Sequence, residues 1–382
     1  MKENWTYKKL TDVCDIQYGY PFDSANFSTS PNDGMPLIRI RDVKDGYSNT
    51  YYKGDYPKEY IIHKGDYLVG MDGEFNIAPW KSGDALLNQR VCKVSSISNE
   101  VSIGYLYRFL TKELKKIEDE TPFVTVKHLS AKRLNQILLP VPPIETQSRI
   151  VSELDLLQSI IDKQKAQLKE LDNLAQAVFY DMFGDPVEND KGWEVKKLGE
   201  ECTEMKYGTS RPSCENGEYP YLRMCNISSD GHLDLDNLKT ISIPDDEVEK
   251  CIVRYGDILF NRTNSIELIG KTCMFDLETP MIIAGYIIRV RLSEKLESRF
   301  VSCMFNMPSM KKLLRAMAKG AVNQANINSK ELASIIIPIP PVILQQSFAA
   351  KIESIEKQKT AIGKSIEETQ KLFDYTMDKY FG

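Results

Sequence analysis

The sequence predicts an α+β fold: two strand-rich mixed globular domains in tandem repeat, each followed by a long α-helix. Three observations carry this. The chain has 382 residues, two to three times the usual domain length, so a single core is not expected. Its motifs are written twice, at offsets of 184 to 198 residues. Two stretches nearly free of proline and glycine place apolar residues at heptad spacing.

The globular parts come first in each copy. Trp5-Thr6-Tyr7-Lys8-Lys9-Leu10, followed by Cys14, returns as Trp193-Glu194-Val195-Lys196-Lys197-Leu198, followed by Cys202. Pro36-Leu37-Ile38-Arg39 answers Pro220-Tyr221-Leu222-Arg223, and Lys64-Gly65-Asp66-Tyr67-Leu68 answers Tyr255-Gly256-Asp257-Ile258-Leu259. Short apolar runs at 37–40, 67–69, 258–260 and 281–290, broken by Gly, Asn, Asp and Pro, predict strands joined by turns. The stretches 105–117 and 301–318 each read as one amphipathic helix.

Leu138-Leu139-Pro140-Val141-Pro142-Pro143 then matches Ile336-Ile337-Pro338-Ile339-Pro340-Pro341 at an offset of 198, which still holds at Phe183-Gly184 against Phe381-Gly382. A gap-free repeat of that length is what a register-bound helix requires. The paired prolines suit its first turn and the glycines its exit. In the first copy the a positions are Leu154, Ile161, Leu168, Ala175 and Met182, and the d positions Leu157, Gln164, Leu171 and Val178. The second copy sets Ile352, Ile355, Lys359, Ile362, Ile366, Thr369, Phe373, Thr376 and Tyr380 on the same line, with Gly363 costing some helix propensity. The expectation is an antiparallel coiled coil with pseudo-twofold symmetry. Its interface would be Leu154, Leu157, Ile161, Leu168, Leu171, Val178, Ile352, Ile355, Ile362, Ile366 and Phe373. At ~1.5 Å per residue such helices would hold the globules roughly 45–55 Å apart. The predicted boundaries are 1–142 and 185–340 for the globules, and 143–184 and 341–382 for the helices.

Composition narrows the class. Apolar residues are 42% and charged residues 27% of the chain, enough for ordinary cores and unlike a disordered protein. Residues 1–10 are polar, and no run approaches the ~18 apolar residues of a membrane span, so a cytoplasmic protein without membrane contact is expected. The eight cysteines include no C-x-x-C pair and the three histidines lie far apart, so no metal site is assigned and the thiols are read as small buried hydrophobes. The net charge of -5 is uneven: residues 143–190 hold four basic and ten acidic side chains, whereas the globular parts are balanced. A balanced globule is free to carry a basic face.

Motifs for chemistry are missing, and no catalytic residue is assigned. No glycine-rich cofactor turn follows a strand, and Asn76-Ile77-Ala78-Pro79-Trp80 is a distant echo of an amine-holding methyltransferase loop. Asp185 with Glu194-x-Lys196 has the composition of a nuclease site but falls in the turn after the first helix. There is no phosphate-binding lysine loop or nucleophile elbow, and His63, His128 and His232 form no defensible triad. Polar side chains suited to base edges are plentiful instead. Arginine matches guanine, Asn and Gln match adenine, and carboxylates accept from cytosine. The DNA-binding candidates are Arg39, Arg41, Asp72, Glu74, Asn76, Lys81, Asn88, Gln89, Arg90, Arg223, Asn226, Asn261, Arg262 and Asn264, with Lys127, Lys271 and Asn323 as phosphate contacts.

The repeated globule-plus-helix order, the motif Leu-Pro-Val-Pro-Pro-Ile-Glu-Thr-Gln147 with its partner Ile-Pro-Ile-Pro-Pro-Val-Ile-Leu-Gln345, the two Gly-Asp strands and the run Asn88-Gln89-Arg90-Val91 together resemble one family across essentially the whole chain: the specificity (S) subunits of type I restriction-modification systems. One departure is that the family commonly has Glu-Glu-Gln where this chain has Glu-Thr-Gln and Ile-Leu-Gln. The resemblance implies that each globule is a target recognition domain reading one half of a bipartite site on double-stranded DNA. It implies that the helices set the spacing and dock two modification (methyltransferase) subunits. The chain would not itself be an enzyme: S-adenosylmethionine and ATP with magnesium would be bound by partner subunits, among them restriction/motor subunits. The alternatives are a coiled-coil adaptor without DNA reading and a DNA enzyme with an unrecognised site.

Overall fold

The computed structural model describes residues 5–122, 127–321 and 324–382. It divides into two compact units, Met1–Gln164 with Ser365–Gly382, and Lys165–Lys364. Each long helix therefore contributes to both.

In unit 1 the strand Thr6–Lys9 pairs antiparallel with Leu138–Val141. A four-stranded antiparallel sheet follows, in the order Cys14–Tyr18, Val91–Ser96, Tyr67–Gly70, Asn76–Pro79. A second sheet has the order Phe27–Ser28, Tyr51–Tyr52, Met35–Ile38, Ala85–Leu87, Ile61–Ile62, with one parallel pairing of Leu37 with Leu86. The helix Ile103–Glu120 is capped by Ser102, whose Oγ accepts from Tyr105 N. It buries Tyr105, Leu106, Phe109, Leu110, Leu114 and Ile117, the three-to-four spacing of one face. The core they join includes Leu154 from the first long helix and Met377 and Tyr380 from the second.

Unit 2 repeats this topology with one strand fewer in its second sheet and with an added three-stranded sheet, Thr263–Asn264, Gln324–Asn326, Lys319–Ala321. Val195–Lys197 pairs with Ile336–Pro338, and the four-stranded antiparallel sheet runs Cys202–Tyr207, Ile287–Leu292, Ile258–Asn261, Thr272–Met274. The second sheet runs Lys239–Ile241, Tyr219–Leu222, Met281–Ile283, Ile252–Val253, again with one parallel pairing, Tyr221 with Ile282.

Two predicted elements divide. The single helix expected over 301–318 is two, Ser298–Asn306 and Pro308–Met317, because Pro308 lacks an N–H and its ring clashes with the preceding turn. The apolar run 281–290 is two strands, Met281–Ile283 and Ile287–Leu292, which belong to different sheets.

The long helices span Ile144–Phe183 and Val342–Phe381, each starting directly after Pro-Pro. Gly184 leaves the first with φ +76°, a left-handed exit that glycine adopts freely. Within unit 1 the Gln164 amide donates to Ser365 Oγ at 2.7 Å, and Tyr380 OH donates to Glu153 Oε2 at 2.8 Å. Within unit 2 Lys359 Nζ lies 2.8 Å from Asp172 Oδ1, and the Phe179 and Phe348 rings meet edge-on at 5.5 Å.

Burial departs from a pure heptad seam. Leu154, Leu157, Ile161, Ile352 and Ile355 are buried, while Leu168, Leu171, Val178, Ile362, Ile366 and Phe373 are only partly so. Phe179, Phe183 and Phe348, none of them on the predicted line, are fully buried and pack with Phe300 of the unit 2 globule. The helices thus give three phenylalanines to a globular core, and the apolar stripe widens beyond two positions in seven. Among the described residues no helix is long and apolar enough to cross a membrane.

Candidate nucleic-acid interface

Two Gly-Asp turns aim the candidate loops. The Asp66 carboxylate accepts from His63 N at 2.8 Å and the Asp257 carboxylate from Arg254 N at 2.9 Å. Gly65 and Gly256 sit at φ +95° and +91°, where a side chain would be strained. From these turns run the strands Tyr67–Gly70 and Ile258–Asn261, whose far ends deliver the polar loops after residues 70 and 261.

In unit 1 the candidates form one connected edge. His128 Nδ1 bonds to Asp72 Oδ1, Arg90 Nε lies 3.5 Å from Asp72 Oδ2, and Arg90 reaches His128 at 3.3 Å. Arg90 holds a left-handed backbone, φ +73°, unusual for a residue with a side chain. Lys44 Nζ lies 3.0 Å from Glu74 Oε1 and so links the short helix Ile40–Asp45 to the hairpin. Arg39 N donates to Asp42 Oδ2 at the start of that helix, and the side chains of Arg39 and Arg41 are exposed, as are Lys81 and Gln89. Asn76 is half-buried and Asn88 buried, and the Oδ1 atom of each accepts no hydrogen bond. Lys127 donates to the Glu118 carbonyl.

Unit 2 holds its edge differently. Asn261 is fully buried and donates to the carbonyls of Thr263 and Tyr286 at 3.2 and 3.1 Å, while its Oδ1 accepts from Asn264 at 2.8 Å. Asn226, 1% exposed, caps a turn through Arg223 N and donates to the Asp234 carbonyl. Lys271 is buried, donates to the Met224 carbonyl at 2.8 Å, and has its pKa lowered by burial. These three side chains are committed to holding the loops. Arg223 donates to the Asn237 carbonyl, and Arg262 lies 4.9 Å over the Tyr207 ring while donating to the Gly285 carbonyl. The Nε atoms of Arg223 and Arg262 have no partner. Asn323 lies outside the described residues.

Burial pushes the Cys92 and Cys303 thiols up to about 12, far from a nucleophilic thiolate. Cys214 and Cys225 are exposed, contrary to the reading of every cysteine as buried. No group of His, Cys, Asp and Glu among the described residues could hold a metal ion.

Sequence reasoning left one pair of positioning residues without a role. Gln147 and Gln345 are both 0% exposed. Gln147 Oε1 accepts from Ser102 N at 2.9 Å, and its amide donates to the carbonyls of Glu100 and Pro142. Gln345 Oε1 accepts from Glu297 N at 2.9 Å, and its amide donates to Lys295 and Pro340. One side chain thus ties each long helix to the cap of its neighbouring helix and to the Pro-Pro turn. The signal was the recurrence of Gln at the 198 offset, whatever residue precedes it. His128 and Lys44, the partners of Asp72 and Glu74, were also passed over, since only folding brings them near.

The model of the type I restriction modification DNA specificity domain matches residues 2–173 and 190–370. The chain belongs to that family. It is a DNA sequence-specificity subunit of the type I restriction-modification kind. Among its relatives, the EcoBI specificity subunit of Escherichia coli is 32% identical over 93% of this chain and 81% of its own length. The EcoKI specificity subunit of Escherichia coli strain K12 is 22% identical over 96% of this chain and 85% of its own. The solved S subunit of M. genitalium shares the fold of this specificity subunit, with a TM-score of 0.57 at 14% identity over 99% of this chain and 96% of that one.

Proposed function

We propose that each unit reads one half of a bipartite site on double-stranded DNA, and that the helices fix the interval between the halves and carry two modification subunits. The observation behind this is one scaffold built twice with different loops on it: Asp72, Glu74, Arg90 and Gln89 on the first edge, Arg223, Arg262 and Asn264 on the second. Unsatisfied polar atoms lie on both edges, at Asn76, Asn88, Arg223 and Arg262, and a buried donor or acceptor without a partner costs about 1–3 kcal/mol unless something bonds it. Arg39, Arg41, Lys81 and Lys127 suit phosphate or guanine contact, while Asn226, Asn261 and Lys271 hold loop shape.

On this reading S-adenosylmethionine and ATP with magnesium belong to the modification and restriction/motor subunits, and this chain works with them in the cytoplasm. The test is the methylated motif of the complete system. Exchanging residues 191–337 for those of another such subunit is expected to change one half-site and leave the other half and the gap intact. Removing one heptad from each helix, 161–167 with 359–365, is expected to shorten the gap by about three base pairs at ~1.5 Å per residue, both half-sites unchanged. A gap that stays the same in the shortened, active protein, or half-sites that change with it, refutes the reading.

A further inference from the structure

The repeat allows every position to be compared with its counterpart. The helices Ile103–Glu120 and Ser298–Asn306 correspond through their caps, Ser102 and Glu297, an offset of 195, and the long helices correspond at 198. In unit 1 this comparison singles out Arg108. It is 8% exposed, bonds Asp155 Oδ1 through NH2 at 2.5 Å and Nε at 3.1 Å, and stands 5.2 Å from the Tyr107 ring and 5.7 Å from the Phe373 ring. Guanidinium, carboxylate and two rings fill the angle between that helix and the long-helix segments of the unit.

Unit 2 has Cys303, Ser302 and Ala175 where unit 1 has Arg108, Tyr107 and Phe373. The counterpart of Asp155, Glu353, is bonded to Lys357 instead. Three large side chains are thus replaced by three small ones, and all three small residues line a cleft of about 370 Å³ in unit 2. That volume is near the lower end of small-ligand pockets, ~300 Å³. Phe179 lies beneath the cleft, its ring already covered by Phe300, Phe183 and Phe348. Asp172, Asp230, Asp276 and Glu356 surround the cleft, against the cations Lys359 and Arg299, with His232 beside Glu356. Lys359 is already engaged, 2.8 Å from Asp172 and 3.2 Å from Glu356. Asp230 and Asp276 remain exposed, so the mouth is acidic.

We propose that this cleft receives an arginine side chain of a modification subunit, whose guanidinium takes in unit 2 the place that Arg108 takes in unit 1. The proposal rests on the reading that this chain docks modification subunits. A planar, weakly hydrated guanidinium pairs with two carboxylates at once through its fork of donors, which an ammonium does less well. Buried arginines in pockets are also the usual anchors of protein interfaces. The site belongs to unit 2 alone, because unit 1 fills its own.

The experiment fills the cleft from within. The full chain carrying Cys303→Arg with Ala175→Phe is mixed with its modification subunit, and binding is measured by calorimetry beside the melting temperature. The expected result is an unchanged fold and binding weaker by about tenfold or more, which is ~1.4 kcal/mol per factor of ten. A folded variant that binds as the unaltered chain does overturns the proposal. If that variant fails to fold, Asp230→Asn with Asp276→Asn, both at exposed positions, is expected to weaken binding about threefold to tenfold at low salt; unchanged binding overturns the proposal equally. Failure of the docking reading shows separately, as no complex with the unaltered chain. N-acetylarginine amide then serves as the probe. Millimolar binding to the full chain that is lost in the filled or neutralised variant supports the cleft, and no binding overturns it.

Discussion

The two edges that bear the candidate reading residues sit on the same scaffold and are held by opposite means. Unit 1 fastens its edge near solvent, with a hydrogen bond between Asp72 and His128 and ion pairs of Asp72 with Arg90 and of Lys44 with Glu74. Unit 2 fastens its edge from beneath, with Asn261, Asn226 and Lys271 bonded mostly to main-chain carbonyls. Beneath both edges the supports recur: Gln147 and Gln345, Asp66 and Asp257, and one parallel strand pair in each unit. Residues recur where buried backbone groups must be satisfied, and vary where water could do the satisfying.

The largest test of that contrast lies at the supports. Gln147→Leu and Gln345→Leu each leave one N–H and two carbonyls without partners in a dry site. Each is expected to destabilise its own unit by roughly 3 kcal/mol in denaturant unfolding. A cost confined to one of the two would break the equivalence.

The edges should then separate. Asn261→Ala removes a buried amide with three bonds and is expected to cost about 2 kcal/mol, independent of salt. Asp72→Asn removes the ion pair with Arg90 near solvent and is expected to cost below about 1 kcal/mol, fading as ionic strength rises. Equal, salt-insensitive losses would show that both edges are held alike.

Lys311 sharpens the comparison through pH. Its amine donates to the Gly270 carbonyl at 2.8 Å, and burial, with Arg315 and Lys271 nearby, pushes its pKa down to about 7. An unfolded lysine titrates near ~10.4, so between these values the unfolded chain binds the extra proton and unit 2 gains stability as pH rises. The penalty is complete below pH about 7. Lys311→Met is therefore expected to stabilise unit 2 by roughly 1–3 kcal/mol at pH 7, and by progressively less toward pH 10. Lys116, its unit 1 counterpart, is exposed, and Lys116→Met is expected to change nothing at either pH. The smallest effect belongs to Arg41→Ala, which should leave stability alone and reduce the salt slope of DNA binding by about one.

Much of the fold was legible because the chain states it twice. An offset that stays at 198 through forty residues admits little but a helix, and paired Gly-Asp turns mark the same strand in each copy. The break at Pro308 was written in the residue itself and was outweighed by the apolar pattern around it. The heptad reading missed Phe179 and Phe183 because periodicity reports which residues turn inward, not whether another helix or a globular core meets them. At the edges the sequence offered candidates but not depth. Asn261 and Asn264 read alike in a polar loop, yet one is sealed beneath it and the other is half-exposed. Asp72 and His128 stand 56 residues apart and meet only through tertiary pairing.

Each glutamine socket closes entirely within its own unit, while the division between units falls inside the helices, at Gln164 and Lys165 and again at Lys364 and Ser365. A pair of genetic crossovers, one at each of those points, would cut only helix, where two parental sequences rejoin in register. Every socket and all the sheets of each unit would pass to the offspring chain whole. Recombination between relatives would then shuffle reading edges as intact cassettes, with no new core to be invented.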